Sequence, residues 1–78
     1  MVYSEKIEQN GNIAIYAMGA LYNDLTGLLK IDFNDNSFEI VKQPQKAPVH
    51  EHFVNKMMAK YREYIYNGET PDEMSYEI

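Results

Sequence analysis

The histidine and carboxylate side chains are the groups of this sequence most able to bind a metal ion or take part in catalysis. His50 and His52 flank Glu51, which suggests a metal site. However, two helical residues separated by two positions point about 200° apart, whereas chelation along a helix needs a spacing of three or four, as in His-Glu-x-x-His. We therefore interpret His50 as partly buried near a helix start and His52 as solvated, and we predict no metal and no cofactor.

A pair of carboxylates is the second chemical candidate. With the strand register given below, Asp32 faces Glu39 across two neighbouring strands. Paired carboxylates can share a proton in acid–base enzymes, but they need a pocket, and a small sheet with one helix offers little concavity. We predict no catalytic residue. A small enzyme or ligand carrier that uses His50, Asp32 and Glu39 is kept as an alternative.

No nucleotide or nucleophile motif accompanies these groups. The four glycines, at positions 11, 19, 27 and 68, cannot form a phosphate-binding loop or a dinucleotide fingerprint. None of the three serines lies in a nucleophile-elbow context. The sequence therefore predicts a protein that is not an enzyme.

Composition limits the class further. The 78 residues include no cysteine, so disulfides and thiolate metal sites are excluded, and a reducing compartment is favoured. The N-terminus lacks the pattern of a signal peptide, and no apolar stretch approaches the length of a membrane span. The net charge is −5, without the basic footprint of nucleic-acid binders. We expect a cytoplasmic protein that contacts neither a membrane nor nucleic acid directly.

The pattern of turns and apolar residues predicts an α+β fold. Turn signals at 10–12, 23–27 and 34–36 separate four strands of an antiparallel β-meander, and residues with helical spacing follow two prolines and end at Gly68. The predicted order is β-β-β-β-α, with an extra C-terminal strand as a further option. The single domain 1–78 divides into the β-meander 1–42, the linker 43–48, the helix 49–67 and the acidic tail 69–78.

Loops at 10–12, 23–27 and 35–36 give a register in which apolar residues share one face. The predicted pairs are Tyr3 with Gly19, Ile7 with Ile15, Leu21 with Leu29, Gly19 with Ile31, Ala17 with Phe33, Ile31 with Ile40, and Phe33 with Phe38. This face would hold the helix, and the small Ala17 and Gly19 would let the helix approach closely.

The opposite face would then be unusually rich in Tyr and Met for a solvated sheet. The residues predicted there as an interaction surface are Tyr16, Met18, Tyr22, Leu28 and Val41. In the tail, Met74, Tyr76 and Ile78 alternate with polar residues. The tail is therefore predicted to add a strand to the sheet, to cover the open face, or to pair with a partner.

These features predict a small protein-interaction module that binds another protein, or itself as a homodimer, through the outward sheet face or the tail. An acidic inhibitor or nucleic-acid mimic of the mobile-element type is the alternative. Its contacts would come from carboxylates on the strands, the turns and the tail: Asp32, Asp35, Glu39, Asp72, Glu73 and Glu77.

Overall fold

The computed structural model describes residues 1–77 and confirms the α+β architecture, including the extra C-terminal strand. One antiparallel sheet carries two consecutive helical segments on one face. The elements are β1 (Val2–Asn10), β2 (Ile13–Gly19), β3 (Gly27–Asp32), β4 (Ser37–Lys42), α1 (Glu51–Lys60), α2 (Arg62–Tyr66) and β5 (Glu73–Tyr76).

The strands lie in the order β4-β3-β2-β1-β5, so the first four form the predicted meander and the last joins its far edge. β5 pairs with β1, and Ser75 lies opposite Tyr3. Of the three roles that the sequence allowed for the tail, the structure contains the first: the tail completes the sheet.

The first hairpin keeps its predicted register only for residues 3–6 of β1: Glu8, and not the predicted Ile7, lies opposite Ile15. Gly11, at φ 63°, and Asn12 form a two-residue loop between Asn10 and Ile13, not the expected three-residue loop. A β-bulge at Ile7 adds one residue to β1 and restores the pairing of Tyr3 with Gly19. The loop prediction was wrong, but this pair is confirmed.

The pairing of β2 with β3 corrects the predicted register. Tyr16, and not Leu21, lies opposite Leu29. The loop between the strands is longer than the predicted 23–27, and the register differs by an odd number of residues. Because side chains alternate along a strand, an odd shift turns the whole of β2 over. Ala17 therefore lies on the face away from the helices, and its predicted role beneath the helix was wrong.

The register of the β3–β4 hairpin differs from the prediction by two residues, so the faces of residues 37–40 are as predicted. A bulge after Ile40 then places Lys42 opposite Leu28. Ile31 pairs with Phe38 instead of Ile40, and a four-residue turn at 33–36 replaces the expected two-residue loop. Asn36 takes the left-handed conformation there, at φ 56°, which Asn tolerates better than most residues.

The core lies between the sheet and α1. The predicted helix 49–67 is divided at Tyr61, whose φ of −101° and ψ of 13° interrupt it. Buried apolar side chains from β1, β2, β3, β5, α1 and its approach meet in one cluster, which contains Val2, Ala14, Tyr16, Met18, Leu29, Ile31, Val49, Val54, Met57, Met58 and Met74.

The loop after β2 is packed against the end of that strand. A Cβ atom on Gly19 would lie 2.0 Å from the backbone oxygen of Asp24, so only glycine fits at this position. Asp24 itself is buried, and its carboxylate accepts hydrogen bonds from the Thr26 hydroxyl and the Lys46 backbone N–H, each 2.8 Å long. Gly19 thus serves this loop and not the approach of the helix, which corrects its predicted role.

Candidate interaction surface

The face of the sheet away from α1 and α2, called the open face below, carries the residues that alternate with the core. The pairing of the strands places these residues on it: Tyr3, Glu5 and Glu8 of β1; Ile13, Ile15 and Ala17 of β2; Leu28, Lys30 and Asp32 of β3; Glu39 and Lys42 of β4; Glu73 and Ser75 of β5. Ile7, the bulge residue, borders it and is 59% exposed.

Two residues of the predicted interaction surface lie in the core. Tyr16 and Met18 are 0% exposed, because the odd register shift turns β2 over and directs them under the helix. Their assignment to an outward face was therefore wrong. Leu28 does lie on the open face and is half-buried. Val41 is the bulge residue of β4 beside this face and is 51% exposed. Tyr22, in the loop after β2, is 79% exposed and contacts the rim of this face through Tyr3.

The tail residues are occupied by the fold. Met74 is 1% exposed and belongs to the core cluster. Tyr76 is half-buried, and its ring lies 6.4 Å from that of Phe53 on α1. The structure therefore uses both side chains for packing, which contradicts their assignment to a contact surface. Ile78, the third predicted residue of this set, lies outside the described residues.

The apolar centre of the open face comes largely from residues that the sequence analysis placed elsewhere. Ile13 and Ile15 are half-buried there, between Ala17 and the strands on either side. The signal for them was weak, because β2 reads Ile-Ala-Ile-Tyr-Ala-Met and is apolar on both faces. Alternation could not show which face of β2 was the outer one.

Carboxylates surround this apolar centre. Glu5 lies directly opposite Glu73 in the pair β1–β5, and like charges in this position are destabilising. Glu8, Asp32 and Glu39 add three further carboxylates, whereas Lys30 and Lys42 are the cations that strand pairing places on this face among the residues described. The open face is therefore an aliphatic surface with a strongly negative border.

The strand pairing does not place Asp32 opposite Glu39, so the candidate carboxylate pair does not form. Glu39 lies opposite Lys30, and Asp32 lies opposite Ser37, because the β3–β4 turn is two residues longer than predicted. Asp32 instead accepts a hydrogen bond from the backbone N–H of Asn34, 2.9 Å away.

The other predicted acidic contacts are distributed over three places. Asp35 lies in the β3–β4 turn, where hydrogen bonds from Ser37 hold the pKa of its carboxyl below the ordinary value. Asp72 pairs with the Lys6 ammonium at 3.1 Å. Glu73 lies on the open face, and Glu77 lines the groove described next. These carboxylates therefore do not form one continuous strip.

A shallow groove of about 500 Å³ crosses β1 and β5 at the end of the open face. Its walls include Tyr3 and Tyr22, whose rings stand at 89° to each other with centroids 5.8 Å apart. Glu5, Glu73 and Glu77 also line it. Aromatic faces and carboxylates both attract cations, so this end of the face matches a positively charged surface.

Neither histidine forms part of a site. His50, expected to be partly buried, is exposed immediately before α1, and His52 is exposed on the helix. Within residues 1–77, no cluster of three or more His, Cys, Asp or Glu side chains is placed to hold a metal ion. The three candidate actors of an enzyme are also separated, because Asp32 and Glu39 lie on the open face and His50 precedes the helix on the other.

Comparisons with protein families, with curated proteins and with solved structures find no match to this chain. In the part of the chain that the structure describes, no helix is both long and apolar enough to cross a membrane. The functional argument therefore starts from the geometry and charge of the open face.

Proposed function

We propose that this protein is a protein-interaction module that binds a basic protein surface through its open face. The observation that carries this proposal is an aliphatic sheet surface with a carboxylate border. Both helices pack on the other side of the sheet, and the loop 20–26 borders only one end of the open face. Exposed apolar patches with polar borders are typical of interaction sites.

The charge of the border supports a basic partner. Five carboxylates and two ammonium groups give the open face a net negative charge, and the whole chain carries −5. Two copies that met face to face would bring these carboxylates together, whereas Lys and Arg on a partner would neutralise them. Complementary charge also speeds association and excludes acidic proteins from the site.

We infer a role without catalysis and a cytoplasmic location. The first rests on the separation of His50, which precedes α1, from Asp32 and Glu39 on the open face. The second rests on the absence of cysteine, which suits a reducing compartment.

Binding with matched variants tests the proposal. Proteins captured from a lysate of the source cell are purified, and their affinities are measured by calorimetry at low and high salt. We expect a basic partner, and a dissociation constant that rises with salt. Ile7→Ser and Leu28→Ser, which alter the apolar centre, are each expected to weaken binding about tenfold.

The control variant is Tyr64→Ser, which changes an exposed apolar side chain on α2, away from the open face. Its affinity should match that of the unmodified protein. If Tyr64→Ser weakens binding as much as Leu28→Ser does, or if the purified partner is acidic and its binding ignores salt, the open face is not the binding site.

An acidic inhibitor of a nucleic-acid-binding protein is the second candidate, and the five carboxylates on the open face favour it. Such a protein would occupy the groove that otherwise holds the phosphates. Duplex DNA should then displace the protein from its partner in a competition experiment. A partner that holds DNA and this protein at the same time would exclude mimicry but would leave the interaction module intact.

A further inference from the structure

The groove that crosses β1 and β5 is lined by aromatic rings as well as carboxylates. The rings of Tyr3 and Tyr22 stand at 89° with centroids 5.8 Å apart, so they form two adjacent walls. Tyr3 is half-buried, whereas Tyr22 is 79% exposed and leaves most of its ring to solvent. Glu5, Glu73 and Glu77 also line the groove, and all three are exposed. Its volume of about 500 Å³ is sufficient for one long side chain.

The carboxylates of Glu5 and Glu73 are held close together by the strand pairing. The two residues lie directly opposite each other on the open face, with Cβ atoms about 5 Å apart. Lys42 belongs to the same cross-strand row, which continues from Glu5 through Ala17 and Leu28. Two strands separate Lys42 from Glu5, a distance of about 14 Å. This ammonium is therefore too far away to compensate the opposed pair.

Two ammonium groups closer to the groove are engaged elsewhere. Lys6, on the other face of β1, pairs with Asp72 at 3.1 Å. Lys60, at the end of α1, donates to the Ser75 carbonyl at 3.1 Å. The opposed carboxylates would therefore gain from a cation that another molecule supplies.

We propose that this groove binds an arginine side chain of the basic partner, with the guanidinium plane against the Tyr22 ring and its N–H groups on Glu5 and Glu73. The assignment rests on the proposed function, because it names the partner group that the open face receives. A guanidinium is planar, stacks on aromatic rings, and carries five donors in a fixed fork that can reach two carboxylates at once. A lysine ammonium is a compact and strongly hydrated charge, so it gains less from the rings.

Titration with blocked amino acids tests the groove directly, through chemical shifts of the protein's amide groups. The probes are acetyl-arginine amide, acetyl-lysine amide and acetyl-citrulline amide, of which the last has the shape of arginine without its charge. We expect saturable shifts centred on Tyr3, Glu5 and Glu73, with a dissociation constant on the order of 1 mM for the arginine probe. The lysine probe should bind about fivefold more weakly, and the citrulline probe should not saturate. If either of these binds as tightly as the arginine probe, the proposal is wrong.

Variants of the groove separate its two kinds of wall. Tyr22→Leu keeps an apolar side chain but removes the ring, and should weaken arginine binding about fivefold. Glu73→Gln should weaken it about tenfold, whereas a purely structural role of this carboxylate would leave the affinity unchanged. Tyr66→Leu is the matched control, because Tyr66 is 89% exposed on α2 and does not line the groove. Thermal unfolding checks that all three variants fold. An unchanged affinity in either groove variant, or an equal loss in Tyr66→Leu, would overturn the proposal.

Leu28→Ser distinguishes this proposal from the proposed function. Leu28 lies on the open face but does not line the groove, so its variant should weaken the purified partner and leave the arginine probe unaffected. If the arginine probe fails to bind while the partner still depends on Leu28, the groove assignment alone is wrong. If the probe binds but the partner ignores Leu28→Ser, the open face is not the partner's site, although the groove still binds a guanidinium.

Discussion

The phenol of Tyr16 ties the middle of the sheet to the segment before β5. Its ring is fully buried, and its hydroxyl donates to the Pro71 carbonyl at 2.5 Å. Burial raises the pKa of this phenol from 10.0 to about 12, and the nearby Asp72 carboxylate adds to the increase. The folded protein thus holds the Tyr16 proton more tightly than the unfolded chain does.

This pKa predicts a loss of stability at high pH. Below pH 10 the phenol is protonated in both states, and its contribution to stability is fully present. As pH rises from 10 to about 12, the unfolded chain loses the proton first, so the free energy of unfolding falls by about 2–3 kcal/mol. Urea unfolding of the protein and of Tyr16→Phe across this range measures the effect.

Tyr16→Phe removes the titrating group, so its stability should decline less steeply than that of the unmodified protein. Other groups titrate identically in both proteins and cancel in the difference. Parallel slopes for the two proteins would contradict the prediction. Below pH 10 the variant should be less stable by about 1–2 kcal/mol, because the Pro71 carbonyl loses its partner.

At the scale of elements, β5 is a short strand held by several contacts. The Ser4 hydroxyl donates to the Met74 carbonyl at 2.8 Å, and the Met74 side chain lies in the core. The Lys6 ammonium donates to Gln9 and Thr70 as well as pairing with Asp72. Because Asp72 is 90% exposed, water weakens the ion pair, and burial of Met74 is the larger contribution.

Met74→Ala should therefore lower the free energy of unfolding by about 2–5 kcal/mol, because it leaves a cavity in the core. Tyr66→Ala is the control, since Tyr66 is 89% exposed and its removal should change stability by no more than about 0.5 kcal/mol. Chemical denaturation of both variants gives the comparison. Equal effects would mean that β5 contributes nothing to the core.

The existence and type of most elements could be predicted from the sequence, but the registers of β2 with β3 and of β3 with β4 could not, and only the first of these errors exchanged the two faces of a strand. Turn residues and alternation located the four strands, and the tail pattern predicted β5. The buried face of β2 could not be predicted, because Ile13 and Ile15 on one face are as apolar as Ala14 and Tyr16 on the other. A hydrophobic pattern fixes register only where one face is polar.

The error in β2 passed directly into the candidate site. Tyr16 and Met18 were exchanged for Ile13 and Ile15, whereas Leu28 on the neighbouring strand was placed on the outer face, where it lies. The carboxylate border depends on cross-strand pairs such as Glu5 with Glu73. Such pairs require the order of the strands, which alternation within one strand does not contain.

At the scale of the whole molecule, negative charge and stability oppose each other. The net charge of −5 is unevenly distributed, and the pair Glu5–Glu73 concentrates it at one end of the open face. Self-repulsion of this kind destabilises the compact state and is screened by salt. The carboxylate border destabilises the isolated fold but suits a basic partner. This combination is expected if the border serves binding.

Glu73→Gln should therefore stabilise the isolated protein by about 0.5 kcal/mol, since it removes one charge of the opposed pair. For the same reason, the stability of the variant should depend less on salt concentration. Thermal unfolding at low and high salt measures both effects. Glu63→Gln, an exposed change on α2, serves as the control and should retain the salt dependence of the unmodified protein. Destabilisation by Glu73→Gln would show that this carboxylate has a favourable structural role.

The position of β5 at the far edge of the sheet also orders events during synthesis. β1 leaves the ribosome some 60 residues before its outer neighbour, which is several seconds of translation. Throughout that interval β1 is an unpaired edge, and the core lacks Met74 and the bond from Tyr16 to Pro71. A nascent chain is therefore most open to misassociation at β1, and the sheet is complete only once β5 has been synthesised.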